Sequence, residues 1–104
     1  MTEQFDTFAN PSPVSKHTYP LLVCLLSPLF GAAAQQIVAP LALTRFFPAN
    51  SRLTPTVRID DGDYVVLVPS LTTISVKDLQ RRVANLAKHR DELLGAVDLI
   101  FYGV

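Results

Sequence analysis

Thr56-Val57-Arg58-Ile59-Asp60-Asp61-Gly62-Asp63-Tyr64-Val65-Val66-Leu67-Val68 is the stretch whose reading decides the fold. Two runs rich in strand-favouring residues, 56–60 and 64–68, flank Asp61-Gly62-Asp63. An Asp-Gly pair between apolar runs is the strongest short-range signal for a hairpin, so the two runs are expected to be adjacent antiparallel strands. Upstream, residues 36–44 read as another strand, in which Pro40 needs an edge or a bulge to avoid losing a ladder bond. Residues 45–54 look irregular. Residues 19–27 are a run of Leu, Val and Cys with no helical polar face, which predicts a central strand with Pro20 tolerated near its start. Residues 4–9 are expected to form a first, edge-lying strand. Between these two strands, Asn10-Pro11-Ser12-Pro13-Val14-Ser15-Lys16 carries two prolines and several turn formers, the composition of an exposed loop.

Downstream of the hairpin, residues 71–76 suggest one more short strand. From Lys77 onward helix formers accumulate, and Leu86, Leu93, Val97, Ile100 and Val104 recur at threes and fours or their sums. This predicts an amphipathic helix over about 87–102, with Asp91 and Glu92 at its positive end and Gly103 at its stop. The fold class is therefore α+β: a small antiparallel β-sheet with one C-terminal α-helix.

A chain of 104 residues suits one domain, 1–104, because a second core would leave too little chain to bury in either. Nearly half the residues are hydrophobic and 17% are charged, which excludes disorder. Nine basic and nine acidic side chains cancel, so no broad positive field is present to hold nucleic acid directly. The apolar segment 21–43 is interrupted by Pro28, Gly31, Gln35-Gln36 and Pro40, short of the ~20 residues a spanning helix requires. Two buried strands joined by a loop are expected instead, and no membrane association. The opening Met1-Thr2-Glu3-Gln4-Phe5-Asp6 has acidic residues where an export signal needs a basic start, and Cys24 has no possible disulfide partner in the chain. Both fit a cytoplasmic protein.

Candidates for chemistry are few. His17 and His89 lie in no metal-ligand spacing and read as solvated or capping residues. Cys24 sits among Val23, Leu25 and Leu26, surroundings that raise a thiol's pKa and disfavour a nucleophile. Asp60, Asp61 and Asp63 lack the longer ligand spacing of a calcium loop and read as solvated turn residues. Arg81-Arg82 with Lys88 and Arg90 reads as a solvated face, since Asp91 and Glu92 follow. No catalytic, metal-binding or cofactor-binding set emerges. The unusual feature is the end, Leu99-Ile100-Phe101-Tyr102-Gly103-Val104, apolar to its last residue where termini are normally frayed and polar. A helix packed on its own sheet accounts for Ile100 and Phe101 but leaves Tyr102 and Val104 poorly explained.

In their order and spacing these pieces resemble the CcdB toxins over essentially the whole chain. The first strand begins Gln4-Phe5; the second carries Tyr19-Pro20 and Val23; the third carries Ile37-Val38-Ala39-Pro40-Leu41. Leu53-Thr54-Pro55-Thr56-Val57-Arg58-Ile59 before an acidic hairpin is similar to the family's Leu-x-Pro-x-(Val/Ile)-His-Ile, and the ending Ala96-Val97-Asp98-Leu99-Ile100-Phe101-Tyr102-Gly103-Val104 to its Ala-Ile-(Asn/Asp)-Leu-x-Phe-Trp-Gly-Ile. The chain departs from the family in Val23-Cys24-Leu25-Leu26-Ser27-Pro28, where Val-Asp-Val-Gln-Ser-Asp is usual and three polar groups are lost, at Gln35-Gln36, where the usual pair often includes arginine, and at Tyr102, where tryptophan is usual.

The resemblance implies a twisted, partly open barrel shared with MazF-type toxins, and a homodimer that is not an enzyme. Such a toxin binds the A subunit of DNA gyrase and traps it with its DNA cleaved. By carry-over, Tyr102, Gly103 and Val104 are the essential contacts, Asp98 and Phe101 support them, and Leu29 and Phe30 lie beside them. A CcdA-type antitoxin neutralises the toxin, with Asn10, Pro11, Ser12, Pro13, Val14, Ser15 and Lys16 as its expected contact. DNA is reached only through the toxin–antitoxin complex. Two alternatives share the fold: a MazF-like ribonuclease, for which Arg52, Thr56 and Arg58 are a thin basic and hydroxyl set, and a non-toxic antitoxin-binding regulatory module.

Overall fold

The computed structural model describes residues 2–27, 29, 34–47 and 51–103. Among these residues seven strands form one antiparallel sheet: β1 (Asp6–Ala9), β2 (Leu21–Cys24), β3 (Gln35–Leu43), β4 (Thr56–Ile59), β5 (Gly62–Val66), β6 (Thr72–Ser75) and β7 (Arg82–Asn85). One helix, α1 (Arg90–Tyr102), closes the chain. The spatial order is β4-β5-β3-β2-β1-β7, with β6 also pairing with β3. The sheet curls into a half-barrel, and α1 packs on one of its faces.

The apolar run of β2 follows from burial on both sides. Leu21 and Val23 face the core beneath α1, with Phe5, Ala39, Leu41, Val57, Val66, Leu86, Leu93 and Ala96. Leu22 and Cys24 face the opposite side, against Phe8, Val38 and Leu79. A strand covered on both faces reads as a continuous hydrophobic run rather than as an alternation. Strands β2 and β3 are the two buried strands expected from residues 21–43, paired with Leu21 opposite Leu41 and Cys24 opposite Val38.

Pro40 needs neither an edge nor a bulge. On the side away from β2, β3 is served by two strands in succession, β6 against Gln35, Gln36, Ile37 and Val38, and β5 against Leu41, Ala42 and Leu43. Pro40 falls in the gap between them. Its carbonyl accepts a bond from the Leu67 N–H at 2.9 Å, so its nitrogen also faces that gap and no ladder donor is missing toward β2.

The hairpin forms as expected, with Ile59 opposite Gly62 and Thr56 opposite Val65. Its turn residues are Asp60 and Asp61, one position earlier than the Asp-Gly pair suggests, and Asp60 takes the left-handed conformation at φ 53°. Gly62 opens β5, and its lack of a side chain serves packing: a Cβ there would lie 2.8 Å from Cε1 of Tyr64.

Two expectations are corrected at the other end of the sheet. β1 is not an edge strand; it lies between β2 and β7. β7, which local pattern did not disclose, is held by distant partners. Asn85 Nδ2 donates to the Gln4 carbonyl (3.2 Å) and to Asp6 Oδ1 (2.9 Å), and Arg82 Nε pairs with the same carboxylate oxygen at 3.0 Å. Asp6 is 2% exposed, and its other oxygen accepts the Glu3 N–H at 2.8 Å, so the buried charge is well satisfied. Arg82 thus has a structural partner rather than belonging to a purely solvated face. The short strand at residues 71–76 is present as β6.

The helix begins later than expected, at Arg90, after a single 3-10 turn at Ala87–His89. Asp91 and Glu92 occupy its first turn, and Gly103 stops it in the left-handed conformation at φ 72°, its N–H donating to the Leu99 carbonyl at 2.9 Å. No helix among the described residues is long and apolar enough to cross a membrane.

Candidate functional site

Leu93 and Ala96 are buried, and Val97 and Ile100 pack partly against the same core. These positions fix which side of α1 faces the sheet. Tyr102 comes nine residues after Leu93, about two and a half turns, which places it on the opposite side. Asp91, Gly95, Asp98 and Tyr102 therefore form the outward stripe of the helix, all exposed. Tyr102 is 78% exposed and Phe101 67%, so the end of the helix leaves two large aromatic side chains uncovered by their own chain.

Sequence order puts Asp98, Phe101, Tyr102 and Gly103 on one helical end. Asp98 stands three and four residues before the aromatics, the spacing of neighbours on a helix surface. Leu29, in the connection between β2 and β3, is 89% exposed. Val104 and Phe30 lie outside the described residues.

The segment expected as an exposed loop is more ordered than its composition implies. Asn10 Oδ1 accepts the Ser12 N–H (2.9 Å), while its Nδ2 donates to Ser15 Oγ (3.0 Å) and to the Tyr19 carbonyl (2.8 Å). Asn10, Ser12 and Ser15 are half-buried as a result, whereas Pro11, Pro13, Val14 and Lys16 remain exposed. One asparagine thus gathers the turn and presents Val14, 89% exposed, at its outside.

The remaining candidates are placed plainly. Cys24 is fully buried, and burial, reinforced by the nearby Asp6 carboxylate, pushes its thiol up to about 12, far from a reactive thiolate. Asp60, Asp61 and Asp63 are exposed, and Asp63 accepts from Arg58 at 3.1 Å. His17 is exposed. His89 is neither solvated nor a side-chain cap: it occupies the position before α1 without a capping bond, mostly buried, with Nδ1 3.3 Å from Glu92 Oε2 and Nε2 buried with no partner among the described residues. No group of three or more metal-ligating side chains occurs among the described residues.

Local pattern did not reveal the cleft beside α1. About 540 Å³ of space is lined by Ser51, Arg52, Thr54, Pro55 and Thr56 on one wall and by Asp91, Glu92, Gly95 and Ala96 on the other. The available signal was Gly95, a residue that costs a helix interior about 1 kcal/mol relative to alanine and has no obvious reason to be there.

Geometry and topology together define a small α+β domain, a curled antiparallel sheet backed by one C-terminal helix whose last turn is apolar and open to solvent. The family model described as CcdB protein matches residues 4–103. The chain belongs to the CcdB family and is a toxin of the toxin–antitoxin kind.

Proposed function

We propose that this toxin kills by binding rather than by chemistry: a homodimer presents two copies of Tyr102-Gly103-Val104 to the A subunit of DNA gyrase and holds the enzyme with its DNA cleaved. The observation that carries this reading is Tyr102, 78% exposed on the side of α1 turned away from the core. An aromatic side chain with two torsions delivers a large contact area at small entropic cost, which suits it to anchor an interface. Gly103 supports the role by letting the backbone approach closely, and a two-fold axis would let one dimer grip a symmetric target twice. Asp98 and Phe101 are assigned to the rim of the contact, and Leu29 and Phe30 beside it.

The antitoxin is proposed to be of the CcdA type, with the 10–16 turn as part of its contact and DNA reached only through the complex. A disordered partner covers a large surface yet remains easy to degrade. The cytoplasm, where gyrase works, is the proposed site of action.

The test compares the intact chain with one lacking residues 102–104 in a gyrase cleavage-complex assay. Intact protein is expected to accumulate cleaved DNA at micromolar concentration and the truncated chain is not. Equal activity of the two, or none from either, defeats the proposal. A ribonuclease reading gains His89 and Thr44, which line a cleft of about 430 Å³ with Thr56 and Arg58. Asp63 occupies the guanidinium and Glu92 the imidazole, however, which leaves little positive field for a phosphodiester. Incubation with RNA, without cleavage, is the expected result.

A further inference from the structure

The N-terminal turn and the start of the helical segment meet at one side chain. Asn85 ends β7, and its amide makes three bonds: Nδ2 donates to the Gln4 carbonyl at 3.2 Å and to Asp6 Oδ1 at 2.9 Å, and Oδ1 accepts the Ala87 N–H at 2.9 Å. Among the described residues neither the 3-10 turn at Ala87–His89 nor α1 has a side-chain cap of its own. Asn85 therefore satisfies one of the N–H groups that the first turn of a helical segment leaves open. Among the same residues it is the only side chain outside the segment that bonds to its first backbone groups.

The N-terminal chain is bent toward this junction. The Asp6 N–H closes a four-residue turn on the Glu3 carbonyl at 3.1 Å, and within that turn Phe5 is left-handed at φ 72°. A bulky residue holds this conformation only where its surroundings over-determine it, and such strain gathers at functional positions. Phe5 is held from both sides: its N–H donates to the Cys24 carbonyl at 2.7 Å, and its own carbonyl accepts the Leu86 N–H at 2.9 Å. Two successive carbonyls, those of Gln4 and Phe5, are thus directed at the two residues that precede the helical segment.

We infer that Asn85 is a positioning residue for the apolar tip: by tying the N-terminal turn to Ala87, it fixes the direction in which α1 carries Phe101 and Tyr102. The core contacts of α1, Leu93, Ala96, Val97 and Ile100, lie in its middle and set its rotation about its own axis. They leave its swing across the sheet to whatever holds its ends. The C-terminal end is exposed, and on one side the helix has open space, the 540 Å³ cleft toward Thr54, Pro55 and Thr56. The hold at Asn85 therefore acts at the base of a lever. The 13 residues of α1, at about 1.5 Å each, place Tyr102 about 20 Å from that base, so a swing of about 5° moves its ring by about 2 Å. An anchor in a well-packed interface loses most of its contacts over such a distance. The inference rests on the gyrase reading for its consequence, but not for the helix direction itself.

Residual dipolar couplings of the α1 amides against those of the sheet give the helix direction in the intact protein, in Asn85→Ala, and in Val38→Ala, which opens a cavity on the other face of the sheet. Asn85→Ala is expected to turn α1 by about 5° or more and to weaken formation of the gyrase cleavage complex about tenfold. Val38→Ala, destabilised but with the junction intact, is expected to leave both unchanged. Asn85→Ser keeps an oxygen for Ala87 and is too short to reach Gln4 and Asp6. It is expected to behave like Asn85→Ala, and it decides the matter if that variant does not fold. An unchanged direction in the folded variant, an equal turn or an equal loss in Val38→Ala, or a turned helix with undiminished cleavage overturns the inference. An intact protein that forms no cleavage complex defeats the gyrase reading instead, and the couplings alone then decide whether Asn85 sets the helix direction.

Discussion

Replacing Tyr102 with alanine separates what the tail does for the fold from what it does for a partner. Because the residue is 78% exposed, little of its surface is buried in its own chain. A surface change of this kind alters stability by about 0.5 kcal/mol or less. For a domain near 100 residues that is a shift of roughly 2–4 °C in the unfolding midpoint. The same exposure sets what a partner gains. A tyrosine offers some 150–250 Å², so roughly 150 Å² remains for a partner to cover. At ~25 cal/mol per Å² complete coverage is worth up to about 4 kcal/mol. Ordering the side chain and desolvating its hydroxyl reduce this to the range of about 2–4 kcal/mol typical of interface anchors. Affinity for the gyrase A subunit is then expected to fall roughly 30- to 1000-fold. Calorimetry of the binding, beside thermal unfolding of both proteins, tests the two halves together. Binding reduced less than threefold, or an unfolding midpoint lowered by 10 °C, would refute the reasoning, since either places the ring's contacts where the geometry does not.

Asp6→Ala removes a buried carboxylate that accepts from Glu3, Arg82 and Asn85, and is expected to cost about 2–3 kcal/mol in urea unfolding, while the half-exposed Arg82→Ala costs less. The reverse order would mean that Arg82, not the carboxylate, ties β7 to β1. Cys24 should react with a disulfide reagent at pH 8 only at the rate of unfolding. Its thiol, raised from 9.0 to about 12 in the fold, contributes stability that is complete below pH 9 and is lost as pH rises toward 12, because only the unfolded chain ionises in that window. Rapid labelling of native protein, or stability that rises over that window, contradicts the placement. Gly62→Ala pushes a methyl to 2.8 Å from the outer edge of the Tyr64 ring and is expected to cost about 1 kcal/mol, most of it recovered when Tyr64→Ala is made in the same chain. A cost that persists in the double variant points to the backbone instead.

Sequence alone determined the features whose causes are local. The acidic hairpin, the two-sided apolar run of β2, the inertness of Cys24 and the stop of α1 at Gly103 each follow from a few neighbouring residues and their conformational preferences. So did the oddity of an apolar tail, since a helical stripe has no room for four consecutive hydrophobic residues. Tertiary structure decided whatever depends on a distant partner. β7 exists because Asn85 and Arg82 meet Asp6, almost eighty residues earlier; its own pattern has no buried face to announce it. β1 became an interior strand for the same reason, and Pro40 is harmless only because two different strands end on either side of it. The slot beside α1 is a space between segments forty residues apart, which no local pattern encodes. The outward turn of Tyr102 likewise waited on the packing of Leu93 and Ala96, because a helix's register against a sheet is set by the core it covers.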